Sequence, residues 1–187
     1  MFETDRLILR RLDERDIDKV FAMRSDPEVM RFIRAPQNRI ETVNWLNLVS
    51  SRWESDYIGF CAIVEKQNKK FVGWCGLWRL KETNELEIGY AIAKNAWGKG
   101  FATEAGRVFL QYAFERLKPD KIVAVAEPEN ASSRRVMEKL GMKFGSLGEF
   151  YNRELVQYAI SRESWLESQK PSKNNIIFKD ELLNLRK

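Results

Sequence analysis

Glu85-Leu86-Glu87-Ile88-Gly89-Tyr90-Ala91-Ile92-Ala93-Lys94-Asn95-Ala96-Trp97-Gly98-Lys99-Gly100-Phe101-Ala102-Thr103-Glu104-Ala105 contains the change of rhythm on which the fold turns. Its first part reads as a strand, Glu85–Ile92, following a polar turn. If it is extended, Leu86, Ile88, Tyr90 and Ile92 share one face, and Glu85, Glu87, Gly89 and Ala91 share the other. From Gly98 to Leu117 the spacing is helical, with Ala102, Ala105, Phe109, Tyr112 and Ala113 on one stripe. Between the two lies Gly98-Lys99-Gly100. Glycine lets backbone approach a ligand closely, and the first amides of a helix are unpaired donors at its positive end. Together they make a cradle for phosphate, to which Lys99 adds a charge and Thr103 a hydroxyl. The spacing is neither that of a P-loop nor that of a dinucleotide fingerprint. Taken alone, it also describes a glycine turn opening an ordinary helix. The strand likewise has two readings: Glu87 with space beside it left by Gly89 and Ala91, or glutamates that simply face solvent.

Upstream, Thr4–Leu12 is a strand candidate. Asp13 and Asp16 are helix-start residues for a run with Ile17, Val20, Phe21 and Arg24, which Pro27 stops. Trp45, Leu46, Val49 and Trp53 predict a second helix around Thr42–Arg52. Ile58–Glu65 and Phe71–Arg79, joined by Lys66-Gln67-Asn68-Lys69-Lys70, predict a hairpin. Downstream, Lys121–Ala126 is a compact strand, Asn130–Leu140 a helix stopped by Gly141, and Phe150–Ser161 alternates like a strand. The order β-α-α-β-β-β-α-β-α-β-β implies an α+β (mixed α/β) fold, a mixed, mostly antiparallel twisted sheet with helices on both faces. A right-handed crossover through the helix after Gly98 makes strands 85–92 and 121–126 parallel neighbours. Ligands bind at the C-terminal end of such a pair. With 187 residues the chain favours one domain, expected over 1–167. A polar tail follows over 168–187, broken by Ile176-Ile177-Phe178 and Leu182-Leu183 and carrying a short terminal helix.

Composition narrows the chemistry. Thirty-two basic and 27 acidic residues give a formal charge of +5, and the pI is near 9.2. That surplus helps attract phosphate without marking a nucleic-acid binder. Cys61 and Cys75 sit in apolar runs far from C-x-x-C spacing, which argues against a disulfide scaffold or zinc ribbon and fits a reducing compartment. The chain has no histidine, which removes imidazole-based mechanisms and most catalytic zinc sites; no metal is expected. Charges in Met1–Arg6 argue against a signal peptide, and no apolar run approaches a membrane span. A cytoplasmic protein is expected.

A second informative stretch is Glu127-Pro128-Glu129-Asn130-Ala131-Ser132-Ser133-Arg134-Arg135-Val136-Met137-Glu138-Lys139-Leu140-Gly141-Met142. Asn130 and Ser133 stand at a helix start just past a strand end. There they either point into the crevice beside the phosphate loop or serve as helix caps.

Gly98-Lys99-Gly100-Phe101-Ala102-Thr103-Glu104-Ala105 resembles the acetyl-CoA pyrophosphate loop of the GNAT N-acetyltransferases. Glu129-Asn130-Ala131-Ser132-Ser133 with Val136 and Glu138-Lys139-Leu140-Gly141 is similar to the family's second conserved segment. Thr4-Asp5-Arg6-Leu7-Ile8-Leu9-Arg10 resembles the opening strand of the branch containing the Rim-type ribosomal-protein alpha-N-acetyltransferases. The resemblance spans about residues 3 to 165 and leaves the tail after Trp165 uncovered. It departs from the family at Asn95, where Gln or Arg is usual, and over residues 131–140, which contain no tyrosine to protonate the leaving thiolate.

The resemblance implies direct transfer of an acetyl group from acetyl-CoA to an amine in a ternary complex. Amides of Gly98, Lys99, Gly100, Phe101, Ala102 and Thr103 would hold the pyrophosphate, with Asn95 nearby, and Asn130 the pantetheine arm. A primary amine is mostly protonated at neutral pH and needs a proton acceptor, a role for Glu87 directly or through water. Backbone donors near Ala91 and Ile92 would stabilise the thioester oxygen, and Ser133 would donate to the departing sulfur. The resemblance favours a protein or peptide alpha-amine; polyamines, aminoglycosides and amino acids stay open. Trp45, Trp53, Tyr57, Phe60, Phe150 and Tyr151 either line the acceptor cleft or belong to the core. Glu54, Asp56 and Glu149 either attract the amine or are solvated. A catalytically silent acetyl-CoA sensor is the alternative from another class, and a homodimer through the C-terminal strands or tail is left open.

Overall fold

A computed structural model describes residues 1–169 and 177–178. The chain opens with β1 (Phe2–Glu3) and β2 (Leu7–Arg11), then α1 (Ile17–Arg24), α2 (Pro27–Met30) and α3 (Arg39–Ser55). Strands β3 (Phe60–Glu65), β4 (Lys70–Arg79) and β5 (Leu86–Ile92) lead into α4 (Phe101–Tyr112). After β6 (Lys121–Ala126) and α5 (Ala131–Lys139) come β7 (Lys143–Phe150), β8 (Arg153–Ser161), α6 (Arg162–Ser168) and β9 (Ile177–Phe178). The strands form one sheet in the order β7-β8-β6-β5-β4-β3-β2-β1-β9. Every neighbouring pair is antiparallel except β5 with β6.

Local chemistry sets the helix starts. The Asp13 carboxylate accepts from the Arg15 amide, while the Asp13 amide donates to Asp16, a reciprocal cap before α1. Asn38 and Glu41 do the same for α3. Pro27 opens α2 as well as ending the preceding run, because its fixed φ suits a first helical turn. The expected strand Phe150–Ser161 straddles a turn. Tyr151 and Asn152 both have positive φ (54° and 57°), forming a two-residue turn between β7 and β8. This is the backbone that favours tight hairpins. Leu166 and Trp165 belong to α6, which the sequence reading had not separated. Of the tail 168–187, Ile177 and Phe178 pair with Glu3 and Phe2 as β9. The expected terminal helix, over the other residues beyond Gln169, lies outside the described residues.

The register sorts side chains onto two faces. Glu87, Gly89 and Ala91 stand opposite Trp78, Gly76 and Trp74, which in turn neighbour Phe60 and Ala62. This face receives α1 and α3: Trp45 of α3 packs on Trp74 and Phe60, ring centroids 5.4 and 5.7 Å apart. The other face carries Cys61, Cys75, Ile88 and Tyr90 and receives α4. Cys61 and Cys75 are free, buried cross-strand neighbours, and burial pushes the Cys61 thiol up to about 12.

The β5–β6 ladder has one paired position, Glu87 with Val123. Past it no ladder pair joins the two strands among the described residues, so the edge of Gly89–Ile92 facing β6 is open. The parallel pair therefore parts where a ligand is expected at a switch from antiparallel to parallel order.

Candidate active site

The loop after β5 is shaped by backbone. Lys94–Ala96 makes a short turn, and the Trp97 indole donates to the Ile92 carbonyl at 2.7 Å, holding the loop against the strand end. Gly98 and Gly100 have φ of 75° and 80°, a region that costs other residues strain. A side chain at Gly98 would meet nothing within 4 Å, so the space above it is open. Gly100 caps α4 with no side chain, leaving the first helical amides without a covering group. This open, amide-lined turn fits an anionic diphosphate.

The loop is tied to the N-terminal hairpin. Arg6 donates from Nη1 to the Lys99 carbonyl (3.0 Å) and from Nε to Glu104 (2.7 Å). The Thr4 hydroxyl donates to the other Glu104 oxygen. Arg6 also lies over the buried Phe101 ring, 4.9 Å from its centroid. Asn95 and Lys99 are exposed and Ala102 half-buried, whereas the Thr103 side chain is buried, so its hydroxyl does not face the open turn as the sequence had suggested. Glu104 was not singled out in the sequence; an acidic residue in a first helical turn reads simply as favourable to the helix dipole.

At the start of α5, Asn130 is the helix cap: its Oδ1 accepts from the Ser133 amide at 3.0 Å. Ser133 meets a partner the sequence did not show. The Tyr90 hydroxyl lies 3.0 Å from Ser133 Oγ and 3.1 Å from the Ser133 carbonyl. Burial pushes the Tyr90 phenol above its ordinary value, so the group is a neutral donor at physiological pH. Alternation had placed Tyr90 among the bulky residues of β5, and no spacing could reveal its contact with a helix so far along the chain. Arg134 donates to the Pro128 carbonyl at 2.8 Å, fixing the strand-to-helix corner.

On the opposite face of β5, Glu87 is 9% exposed. It does not face solvent, and burial pushes its carboxyl up to about 7, with Glu82 adding to the rise. Tyr151 opposes it: its hydroxyl donates to Glu87, favouring the carboxylate. Tyr151 itself is 36% exposed, and its amide donates to Glu82 at 2.7 Å. The Phe60 ring lies over Gly89, where an added Cβ would stand 3.1 Å from it. Of the aromatic residues considered for an acceptor cleft, Tyr151, Phe60 and Trp45 reach this face, whereas Trp53 is core. Glu54 and Glu149 are exposed, and Asp56 pairs with Arg52 at 2.6 Å. Arg153 pins the segment after α2, donating to the Ile33 carbonyl (2.8 Å) while paired with Glu127 (2.6 Å).

Two groups thus flank the parted strands: Tyr90 with Ser133 from the α4 side, Glu87 with Tyr151 from the α3 side. The first suits donating a proton, the second accepting one. Among the described residues no three His, Cys, Asp or Glu side chains are placed to hold a metal ion, and no helix is long and apolar enough to cross a membrane.

An open, amide-lined turn thus lies at the end of a strand that carries a buried carboxylate on one face and a hydroxyl pair on the other. The family model for the acetyltransferase (GNAT) domain matches residues 6–143, and the chain belongs to this family of acetyl-CoA-dependent acyltransferases. An uncharacterized protein, YkkB of Bacillus subtilis (strain 168), is 32% identical over 159 residues, covering 83% of this chain and 92% of that one. The crystal structure of a GNAT-family acetyltransferase from Bacillus anthracis superposes with a TM-score of 0.75 at 27% identity, over 87% of this chain and 99% of that one. A spermidine N-acetyltransferase from Vibrio cholerae, solved with CoA and spermine, shares the fold (TM-score 0.72, 20% identity, 86% and 98% covered).

Proposed function

We propose that the protein transfers the acetyl group of acetyl-CoA to the alpha-amine of a peptide or protein, by direct attack within a ternary complex. The observation that carries this reading is Glu87: a buried carboxylate whose pKa is raised to about 7, at the paired position beyond which the parallel strands part towards a loop suited to an anion. Bound acetyl-CoA supplies the acetyl group as a thioester. The amides from Gly98 to Thr103 hold its diphosphate, and Asn130, whose Oδ1 is occupied by the cap, offers its Nδ2 to the pantetheine arm.

Glu87 takes a proton from the incoming ammonium, leaving a neutral amine to attack the acetyl carbon. A base with a pKa near the working pH combines a sufficient ionised fraction with sufficient strength. The C–N bond forms, the C–S bond breaks, and the open backbone edge near Ala91 and Ile92 donates to the carbonyl oxygen as charge gathers there. Ser133 gives a proton to the departing sulfur while hydrogen-bonded to Tyr90, whose raised pKa keeps it protonated, and the second proton that the nitrogen sheds as the amide forms restores the serine hydroxyl. Of the acidic candidates Glu54 and Glu149 are exposed and Asp56 is paired with Arg52, so the carboxylate that acts on Glu87 is Glu82, one further acidic group for the incoming ammonium. The opening hairpin Thr4–Arg10, similar to that of the ribosomal-protein alpha-N-acetyltransferases, supports the alpha-amine.

Calorimetric titration with acetyl-CoA, with desulfo-CoA and ATP as controls, tests the cradle, and thiol release across an amine panel tests the transfer. Micromolar binding specific to the CoA scaffold, with turnover that Glu87→Gln removes, is expected. No binding at millimolar acetyl-CoA overturns the reading.

A further inference from the structure

Arg24, the last residue of α1, is 2% exposed yet has no carboxylate partner among the described residues. Its guanidinium lies 4.1 Å from the centroid of the Trp45 ring, which packs on Phe60, whose ring covers Gly89 on the Glu87 face. The charge therefore ends a wall of two aromatic rings that begins beside Glu87. Burying an unpaired charge is costly. Desolvation, aided by nearby Arg34, pushes Arg24 down to about 10, which still leaves it charged at neutral pH. Glu41 is close enough to favour the charge, but its carboxylate accepts from the Asn38 amide at 2.8 Å.

The pattern of its hydrogen bonds is asymmetric. Nε and Nη2 share the edge of a guanidinium that meets a carboxylate through two parallel bonds. Here Nη2 donates to the Gln37 amide oxygen, while Nε is buried and donates to nothing. One amide oxygen meets an edge that has two donors to offer. Gln37 is half-buried, on the irregular stretch that follows α2, so its side chain has solvent to turn into. Arg34, exposed on the same stretch, acts on Arg24 and on Tyr151 alike, so a second cation lies within electrostatic reach of both.

We infer that the acceptor carries a carboxylate that docks on the Nε/Nη2 edge of Arg24 in place of the Gln37 amide, and that this acceptor is an acidic N-terminal segment of a peptide or protein. The inference rests on the proposed transfer to an alpha-amine at Glu87. The α-carboxylate of a single amino acid lies too near its own amine to span Phe60 and Trp45. An extended peptide advances about 3.3–3.6 Å per residue, so an acidic side chain at its second or third residue reaches past two rings whose centroids lie 5.7 Å apart. The formal charge of +5 favours the approach of such a partner.

The test is kcat/KM for amidated tetrapeptides with Asp at the second or third position, each against its Asn isostere, with saturating acetyl-CoA. An advantage of about tenfold for Asp is expected, the scale of one hydrogen bond to a charged group. In Arg24→Met the Asp/Asn ratio falls towards one. Gln37→Ala, which removes the competing amide, raises kcat/KM for the acidic peptide, a gain that a purely structural Arg24–Gln37 contact would not give; it also keeps the test decisive if Arg24→Met does not fold. Equal rates for Asp and Asn peptides, or preference for free amino acids over every peptide, overturn the inference. Either result with micromolar acetyl-CoA binding intact leaves the transferase standing, whereas loss of that binding strikes the proposed function instead.

Discussion

The two sides of β5 are built by different means. The side proposed for CoA is backbone: a glycine turn, uncovered helix amides and a cap, all within a short stretch of chain. The side proposed for the acceptor is assembled from side chains of distant elements, with Glu87 from β5, Tyr151 from the β7–β8 turn, Trp45 from α3 and Arg24 from α1. Backbone sites tolerate most substitutions except at the positions that set their conformation. Side-chain sites are sensitive everywhere, and their sensitivity shows in turnover and pH profile rather than in cofactor affinity.

The sharpest way to break this contrast is at Gly98. Gly98→Val has room in the protein itself, but it strains a φ of 75° and fills the space a phosphate would take. Acetyl-CoA binding is expected to vanish in calorimetry; retained micromolar affinity would remove the loop from the cofactor site. Next in size, Glu87→Gln should lower kcat by roughly 10²-fold or more, the usual worth of a general base, with acetyl-CoA affinity unchanged. A kcat equal to wild type would clear Glu87 of any role. The same variant has a stability signature. Because the folded carboxyl is raised from 4.5 to about 7, the folded state holds a proton that the unfolded state has lost across that window. Stability therefore falls as pH rises from 4.5 to 7, and Glu87→Gln should flatten that part of a melting-temperature profile.

Smaller effects sharpen each side separately. Tyr90→Phe should lower kcat by about tenfold, consistent with losing one hydrogen bond to a developing charge, and leave the acetyl-CoA Kd in place. Tyr151→Phe removes a donor that favours the Glu87 carboxylate, so the acid limb of kcat/KM should move to higher pH, with much of the rate recovered there. A limb that stays put would mean that Tyr151 does not touch the working base. Smallest, Glu104→Gln loosens the tie from Thr4 and Arg6 to the loop and should weaken acetyl-CoA binding a few-fold, measured by the same titration.

This division also governs what the sequence discloses. The strand–glycine–helix order, the parallel crossover and the face carrying Glu87 follow from spacing, because each depends on neighbours in the chain. The glycine turn before α4 is legible for the same reason. Tyr90 with Ser133, Tyr151 with Glu87 and Arg6 with Glu104 are pairings between residues far apart in sequence, and period and propensity carry no information about them. The β7–β8 hairpin was hidden because its turn is Tyr-Asn rather than the glycine-bearing pair that usually marks such a bend. Phe150–Ser161 consequently reads as one run.

That turn has an implication for engineering. Tyr151 sits at a φ of 54°, a conformation that costs a residue with a β-carbon about 1–2 kcal/mol, and it is kept there with its amide on Glu82 and its hydroxyl on Glu87. Any search for more heat-resistant variants, blind to activity, will be drawn to glycine or asparagine at this position. Such a search would select the better hairpin and discard the hydroxyl that donates to Glu87; with Glu87 as the proposed base, selection for heat resistance and selection for turnover pull this one residue in opposite directions.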